Sequence, residues 1–388
     1  MEGPAHRARN EDVAHGQVLF WCSIARFVRQ PDIGASAALN GHGVRKRPST
    51  VLLTGALALM LVAALVVSLV FGSESISLEE VLEVLHGRFT GHPLGSGYDT
   101  IIWELRIPRS LLAAIAGAGL SLAGAGMQTL VRNPLADPYL LGLSAGASVG
   151  ATSVIVIGTF SAFGVWALSV GALIGALGAA VAVYLVAQAQ GGLTPLRLVL
   201  SGVVMSAAFN AISALMVFLS DDNRAATSVM FWSLGSVAGA TWVKLIFPVV
   251  VLVVVGILMM VFSGWLDAMA AGPATATALG VPVIATRNGL FVAMGVLVGT
   301  LVAVSGGIGF VGLIVPHAAR MVVGALHRNV LPVSAVGGAL FMVLVDIIAR
   351  VVVAPQEIPL GVVTGVIGAP MFLFLMGRRS YAFGGRDS

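Results

Sequence analysis

Apolar stretches of about twenty residues recur along this chain, separated by short polar gaps. A bilayer core about 30 Å thick needs about 20 apolar residues per crossing helix. The pattern predicts ten spans, at roughly 51–72, 110–131, 139–158, 163–188, 196–219, 245–265, 289–306, 311–324, 331–353 and 358–376. The seventh and eighth are hard to separate because 289–324 is nearly continuous, which leaves nine as the fallback count. The spans form one membrane region over 50–377. A polar tail precedes it at 1–49 and another follows at 378–388.

The basic residues orient the spans. With the N-terminus inside and ten crossings, 15 Lys and Arg fall on the cytoplasmic side and six outside. Without the N-terminal tail the split is still eight to six. Cytoplasmic loops carry the excess of Lys and Arg, so both termini are expected in the cytoplasm.

Composition agrees. Of 388 residues 58% are hydrophobic and 10% charged, against roughly 45–50% and 25% in soluble domains. Mean hydropathy is +0.99. These values exclude a cytosolic enzyme, a nucleic-acid binder, a disordered chain and a disulfide scaffold. The net charge of +4 and the single Cys22 remove any argument for nucleic acid or for a multi-cysteine metal site. No cofactor or metal is expected.

The tail 1–49 lacks the apolar core and cleavage site of a signal peptide. It reads as poorly ordered, with 18–28 as a candidate interfacial helix. In the long outer loop 73–105, Ser77 followed by Glu80 fits a capping box, with Leu78, Val81, Leu82 and Leu85 on the helix's apolar face.

Glycine fills 48 positions, often at helical spacing. Gly142, Gly146 and Gly150 form one seam, and Gly171, Gly175 and Gly178 another. Small residues every four positions let helix backbones approach closely. Gly306, Gly307, Gly309 and Pro316 interrupt an apolar run, so 305–317 is either a tight corner or part of a pathway. Ionisable residues in the spans are few. Asp346 and Arg350 are placed i, i+4 to pair, and His317 reads as a structural hydrogen-bonding group.

The sequence has no phosphate-binding loop, zinc-protease motif or nucleophile elbow. It also lacks the string of intramembrane acids common in ion-coupled carriers. A many-spanning chain without motor or ion-coupling residues takes its energy from a partner, which points to the membrane half of an ATP-driven transporter.

Two stretches make this specific. One runs Arg106-Ile107-Pro108-Arg109-Ser110, then Gly124-Ala125-Gly126-Met127-Gln128, Arg132-Asn133-Pro134-Leu135-Ala136-Asp137-Pro138 and Leu141 to Ala147. The other runs Ser305 to Arg320, then Asp346-Ile347-Ile348-Ala349-Arg350 and Glu357 to Thr364. Together, over about 51–377, they resemble the FecCD family, the permease subunits of bacterial importers for ferric siderophores, haem and cobalamin. The tail 1–49 has no counterpart in that pattern.

The resemblance implies an all-α polytopic fold of about ten helices, the type II importer permease architecture, with spans two to five repeated in inverted orientation by seven to ten. It implies a bacterial cytoplasmic membrane protein working as a homo- or heterodimer around a central pathway. Cytoplasmic ATPase subunits and an extracytoplasmic binding protein would complete the assembly. Arg106, Arg109 and Arg350 would receive acidic residues of the binding protein; snorkelling to lipid headgroups is the alternative. Gly272, Ala276, Leu279 and Gly280 would belong to the coupling helix seated in the ATPase, and Gln128, Asn133 and Leu135 to the pathway and its cytoplasmic gate. Gly142, Gly146, Gly150, Gly309 and Pro316 would pack or break helices. The implied function is ATP-driven import of a ferric siderophore by alternating access through a mostly apolar lining, with cobalamin or haem as alternative cargo. An ion-coupled secondary carrier and an intramembrane enzyme using His317 are the readings from other classes.

Overall fold

A computed structural model describes residues 49–72, 75–92, 95, 97–222 and 224–377, without the side chains of 375–377. The tails 1–48 and 378–388, with Cys22 and the candidate helix 18–28, lie outside the described residues.

The described residues are helical, without strands. Seven helices are long and apolar enough to cross a membrane: Thr50–Val70, Gly97–Val131, Ser161–Ala189, Pro195–Phe218, Trp242–Val261, Val283–Ser305 and His327–Val351. Three shorter apolar helices, Leu143–Ile157, Val311–Val323 and Leu360–Phe374, stand where the third, eighth and tenth spans were predicted. The near-continuous run 289–324 is two helices, broken at 306–310.

We number the α-helices in chain order: α1 Thr50–Val70, α2 Leu78–Phe89, α3 Ile107–Val131, α4 Leu143–Thr152, α5 Ala167–Ala189, α6 Pro195–Phe218, α7 Ala225–Ser233, α8 Trp242–Val261, α9 Ser263–Ala271, α10 Pro273–Ala278, α11 Val283–Ser305, α12 Val311–Val323, α13 His327–Val351 and α14 Leu360–Gly377. A π-helical turn, Ile101–Arg106, leads into α3.

Glycine placement determines the packing. α3 is the most enclosed helix, because its small residues admit three neighbours. A Cβ at Gly117 would collide with the Gly338 carbonyl on α13, one at Gly124 with Gly312 on α12, and one at Gly126 with Met294 on α11. α4 crosses α5 where Gly146 meets Gly175 and Gly150 meets Gly171. α11 lies along α5, with Gly299 and Gly295 beside Ala176 and Ala180. With no hydrophobic drive between helices in lipid, these close backbone crossings are what hold the bundle.

α2 folds as the Ser77–Glu80 capping box predicts. Ser77 Oγ accepts from the Glu80 N–H at 3.2 Å, and Glu80 Oε2 accepts from the Ser77 N–H at 2.9 Å. The Ser77 hydroxyl also donates to Glu80 Oε2 at 2.8 Å, and that bond and then the one from the Ser77 N–H hold the Glu80 carboxyl below its ordinary value. Val81 and Val84 bury against Leu69, Ile76 and Ile102, which fixes α2 over the ends of α1 and α3.

Candidate functional site

At the predicted outer end, α1, α3 and α13 are tied by ions. Asp346 on α13 accepts from Arg109 Nε at 2.9 Å and lies 3.0 Å from Arg350 Nε, the i, i+4 pair anticipated from spacing. Arg109 also bonds Glu357 at 2.7 Å. Arg350 donates to the carbonyls of Ser68 and Phe71 at 3.1 and 2.9 Å, and Arg106 donates to those of Leu69 and Val70. Four orphan carbonyls end every helix, so the two arginines act as a C-cap for α1. Placing Arg106, Arg109 and Arg350 on an open outer surface therefore needs correction. Arg106 and Arg350 are buried, at 7% and 4% exposure, and Arg109 already bonds two carboxylates. The acidic partner Glu357 was not singled out from sequence; it sits six residues beyond the last helical position of α13, where no helical spacing relates it to Arg109.

Two corners meet inside the bundle. The first, 132–142, joins α3 to α4; the second, 306–310, joins α11 to α12. Tyr139 Oη accepts from the Ile308 N–H at 3.0 Å, and the Asp137 carboxylate accepts from the N–H groups of Tyr139 and Phe310. Desolvation nonetheless pushes the Asp137 carboxyl up to about 6. The second corner is tight because other backbone closes on it. Side chains at Gly306 and Gly307 would strike the carbonyls of Trp232 and Ser233, and one at Gly361 that of Leu234. Gly306 also needs its φ of +67°. Of the two readings of 305–317, the tight corner describes 306–307; Gly309 has open space around it.

Beside these corners α4, α6 and α7 enclose a groove of about 780 Å3. Its polar lining is Tyr139, Ser144, Ser148, Ser206, Asn210, Ser213 and Ser233, and no charged side chain is among its lining residues. Ser206 and Ser233 donate to carbonyls one turn back, at 2.7 and 2.8 Å, leaving oxygen lone pairs free. Asn210 is exposed on α6, with no hydrogen bond among the described residues. An unsatisfied amide costs several kcal/mol in hydrocarbon, so this face is set against water or protein. The lining is apolar over most of its area, as expected from sequence, with these hydroxyls and the amide set into it. Serines scattered among Ala and Gly look like packing residues until the helices are placed.

At the predicted inner end, Gln128 Nε2 donates to the carbonyl of Leu313 at 3.2 Å, and Arg320 donates to Gln128 Oε1. Gln128 thus bridges α3 to α12 and is 4% exposed. Asn133 Oδ1 accepts from the Leu135 N–H at 2.9 Å in a turn just past α3, and Leu135 packs with Leu313, Ile314, Phe310 and Phe372. Gly142, at φ +72°, begins α4. Pro316 lies inside α12, and His317 is buried on it.

The segment between α8 and α11 forms a two-helix corner. Gly272, at φ +124°, separates α9 from α10, and Gly280, at φ +76°, follows it. Ala276 is fully buried against Ala268, Met269 and Val281, so it does not supply the outward contact expected of it. Its neighbours Ala274, Thr275, Thr277, Ala278 and Leu279 are exposed instead. Asp267 on α9 bonds His327, the first residue of α13. Burial raises the Asp267 carboxyl, but the His327 bonds outweigh it and hold it below the ordinary carboxylate range.

Comparison with known proteins bears on what this arrangement does. The model of the FecCD transport family matches residues 60–378. The chain is 36% identical over 316 residues to the molybdate import system permease protein MolB of Haemophilus influenzae, covering 81% of this chain and 92% of that one. It is 37% identical over 325 residues to the iron(3+)-hydroxamate import system permease protein FhuG of Bacillus subtilis, covering 82% and 94%. A solved inward-facing structure of a metal-chelate type ABC transporter superposes with TM-score 0.74 at 34% identity, over 84% of this chain and 99% of that one.

Proposed function

The chain belongs to the FecCD transport family and is a multi-pass permease of an ABC importer of the metal-chelate type; on that premise we propose that its cargo is a ferric siderophore. The neutral groove carries this choice. Its hydroxyls and amide suit a chelate whose metal charge is already matched by oxygen ligands. A bare dianion such as molybdate would draw its affinity from charge-assisted donors, which the lining lacks. Cobalamin and haem are the alternative cargoes.

The cargo passes between this chain and a second permease, like or unlike, with the α4–α6–α7 groove facing the seam. That placement hides the Asn210 amide from lipid. Both termini are cytoplasmic in a bacterial inner membrane, and separate ATPase subunits supply the energy. The exposed side of α10, with Gly272 and Gly280 as its hinges and Leu279 at its end, seats in the ATPase. Asn133 and Leu135, braced by Gln128, close the inner mouth. A binding protein docks at the outer rim, where Arg106 and Arg350 hold the frame and the Arg109–Glu357 pair is the part open to it. Rim charges act mainly on orientation and on-rate.

Uptake in cells lacking this protein tests the reading, with iron-labelled siderophores, molybdate, haem and cobalamin compared against the parent strain, and ATP depleted in parallel. The expected result is loss of ATP-dependent siderophore uptake alone. Loss of molybdate uptake instead would overturn the cargo while keeping the class. ATP-independent uptake would overturn the proposed energy source.

A further inference from the structure

Asp267 is a polar link between the α9–α10 corner and the body of the bundle. Its Oδ1 accepts twice from His327, from the backbone N–H at 2.8 Å and from ring Nδ1 at 2.6 Å. The first bond caps α13, whose N-cap residue Leu326 provides no side-chain acceptor. The other ring nitrogen, Nε2, lies 2.7 Å from Thr129 Oγ1 on the last turn of α3. His327 is 1% exposed. Three elements are thus joined through one imidazole: α9, α13 and α3.

The ends of this chain of bonds give it direction. On one side, α9 and α10 pack on each other through Ala268, Met269 and Ala276, so they move as a unit. On the other, Thr129 lies one turn before Asn133 and the turn it makes with Leu135. The same stretch of α3 holds Gln128, which Arg320 grips from α12. A cavity of about 180 Å3, lined by Thr129, Arg132, Ala270, Arg320 and His327 among others, leaves space for the link to shift.

We propose that Asp267 and His327 are positioning residues that carry displacement of the α9–α10 corner to the inner end of α3, and so to Asn133 and Leu135. The proposal rests on the importer reading above. The link works through hydrogen bonds rather than net charge. Buried donors deprived of their acceptor carry their full desolvation cost, so the joint transmits force only while the acceptor is present.

The test uses the permease assembled with its own ATPase and binding protein in lipid nanodiscs. In a Cys22→Ser background, a nitroxide is attached at Ala278→Cys on α10 or at Asn133→Cys past α3, and the ATP-driven change in its spectrum is read. Asp267→Ala is expected to keep the change at 278 and lose it at 133. Cargo moved per ATP should fall about tenfold, with the cargo being whichever labelled compound the uptake panel identifies. Asp267→Asn, which keeps an accepting oxygen, should retain both signals. His327→Asn, which keeps the capping N–H and an amide at the Nδ1 position but is too short to reach Thr129, should behave as Asp267→Ala and serves as the second variant if that protein does not fold.

Retention of the change at 133 in both Asp267→Ala and His327→Asn, with cargo per ATP within twofold of the parent, would overturn the proposal. So would loss of both signals in Asp267→Asn as well, which would mark a purely structural role. Absence of any ATP response in the parent complex would overturn the importer reading itself, and this inference with it.

Discussion

The chain contains two four-helix halves, α3–α6 and α11–α14, and they divide the chemistry between them. Both run long, short, long, and then a fourth helix of 24 residues in the first half against 18 in the second. Each lends its opening helix to the other: α3 is enclosed by α11, α12 and α13, while α11 lies along α5. The residues between differ. The second half holds most of the buried ions, with Asp346, Arg350 and Glu357 at one end and Arg320 and His327 at the other, and Arg109 of the first half reaches into the outer cluster. The first half, with α7, holds the hydroxyls and amide of the groove. Buried charge here is committed to partners and shapes the molecule. The groove is neutral.

The sharpest way to break this arrangement is at a crossing the halves share. Gly124→Leu would drive a side chain into the Gly312 carbonyl. No flexible side chain can yield there, so the overpacking cost exceeds the usual range of about 1–3 kcal/mol. The expected outcome is no monodisperse protein on detergent gel filtration, whereas Gly178→Leu, with open space around it, stays monodisperse.

Removing the charge centre of the second half comes next. Asp346→Ala leaves Arg109 without one of its two acids and Arg350 without its ion-pair partner. Stripping one member from a buried pair costs about 3–5 kcal/mol. A matching fall in melting temperature is expected, against little change for Asn210→Ala. Equal losses in the two variants would mean that the halves do not divide structure from pathway.

The smaller effect lies where the corners touch. Burial raises Asp137 from its ordinary 3.8 to about 6. A raised folded value favours the protonated form, so its stability contribution is full below the unfolded pKa and is lost as pH rises through about 6. At pH 7.5 the loss is roughly 2–3 kcal/mol. Asp137→Asn keeps the acceptor for Tyr139 and Phe310 without the charge. It should melt higher than the parent at pH 7.5 and show a flatter response between pH 5 and 7. A parent protein with no such response would remove the strain assigned to this corner.

The fold was legible because lipid imposes a strong pattern: apolar runs, glycine seams and positive ends all show in one dimension. Local chemistry was legible where helical spacing sets it, as for Asp346 with Arg350 and Ser77 with Glu80. Contacts across the bundle were not. Nothing in the sequence relates Arg109 to Glu357, 248 residues away, or Thr129 to His327, 198 residues away. The direction a side chain takes was equally hidden. Arg106, Arg350 and Ala276 looked outward by topology, but helix ends and a two-helix corner turned them inward. The groove escaped notice because serine and alanine are equally at home in a packed seam.

The proposed pathway has water and cargo meet the neutral face of α6. It is tested most directly by the rate at which a membrane-impermeant thiol reagent labels Asn210→Cys and Val366→Cys, each in a Cys22→Ser background, in open membrane fragments. Val366 is the comparison because it is 71% exposed on α14, the corresponding helix of the other half. Fast labelling is expected at 210, slowed by the transported cargo, and slow labelling at 366. Labelling at 210 no faster than at 366 would contradict it.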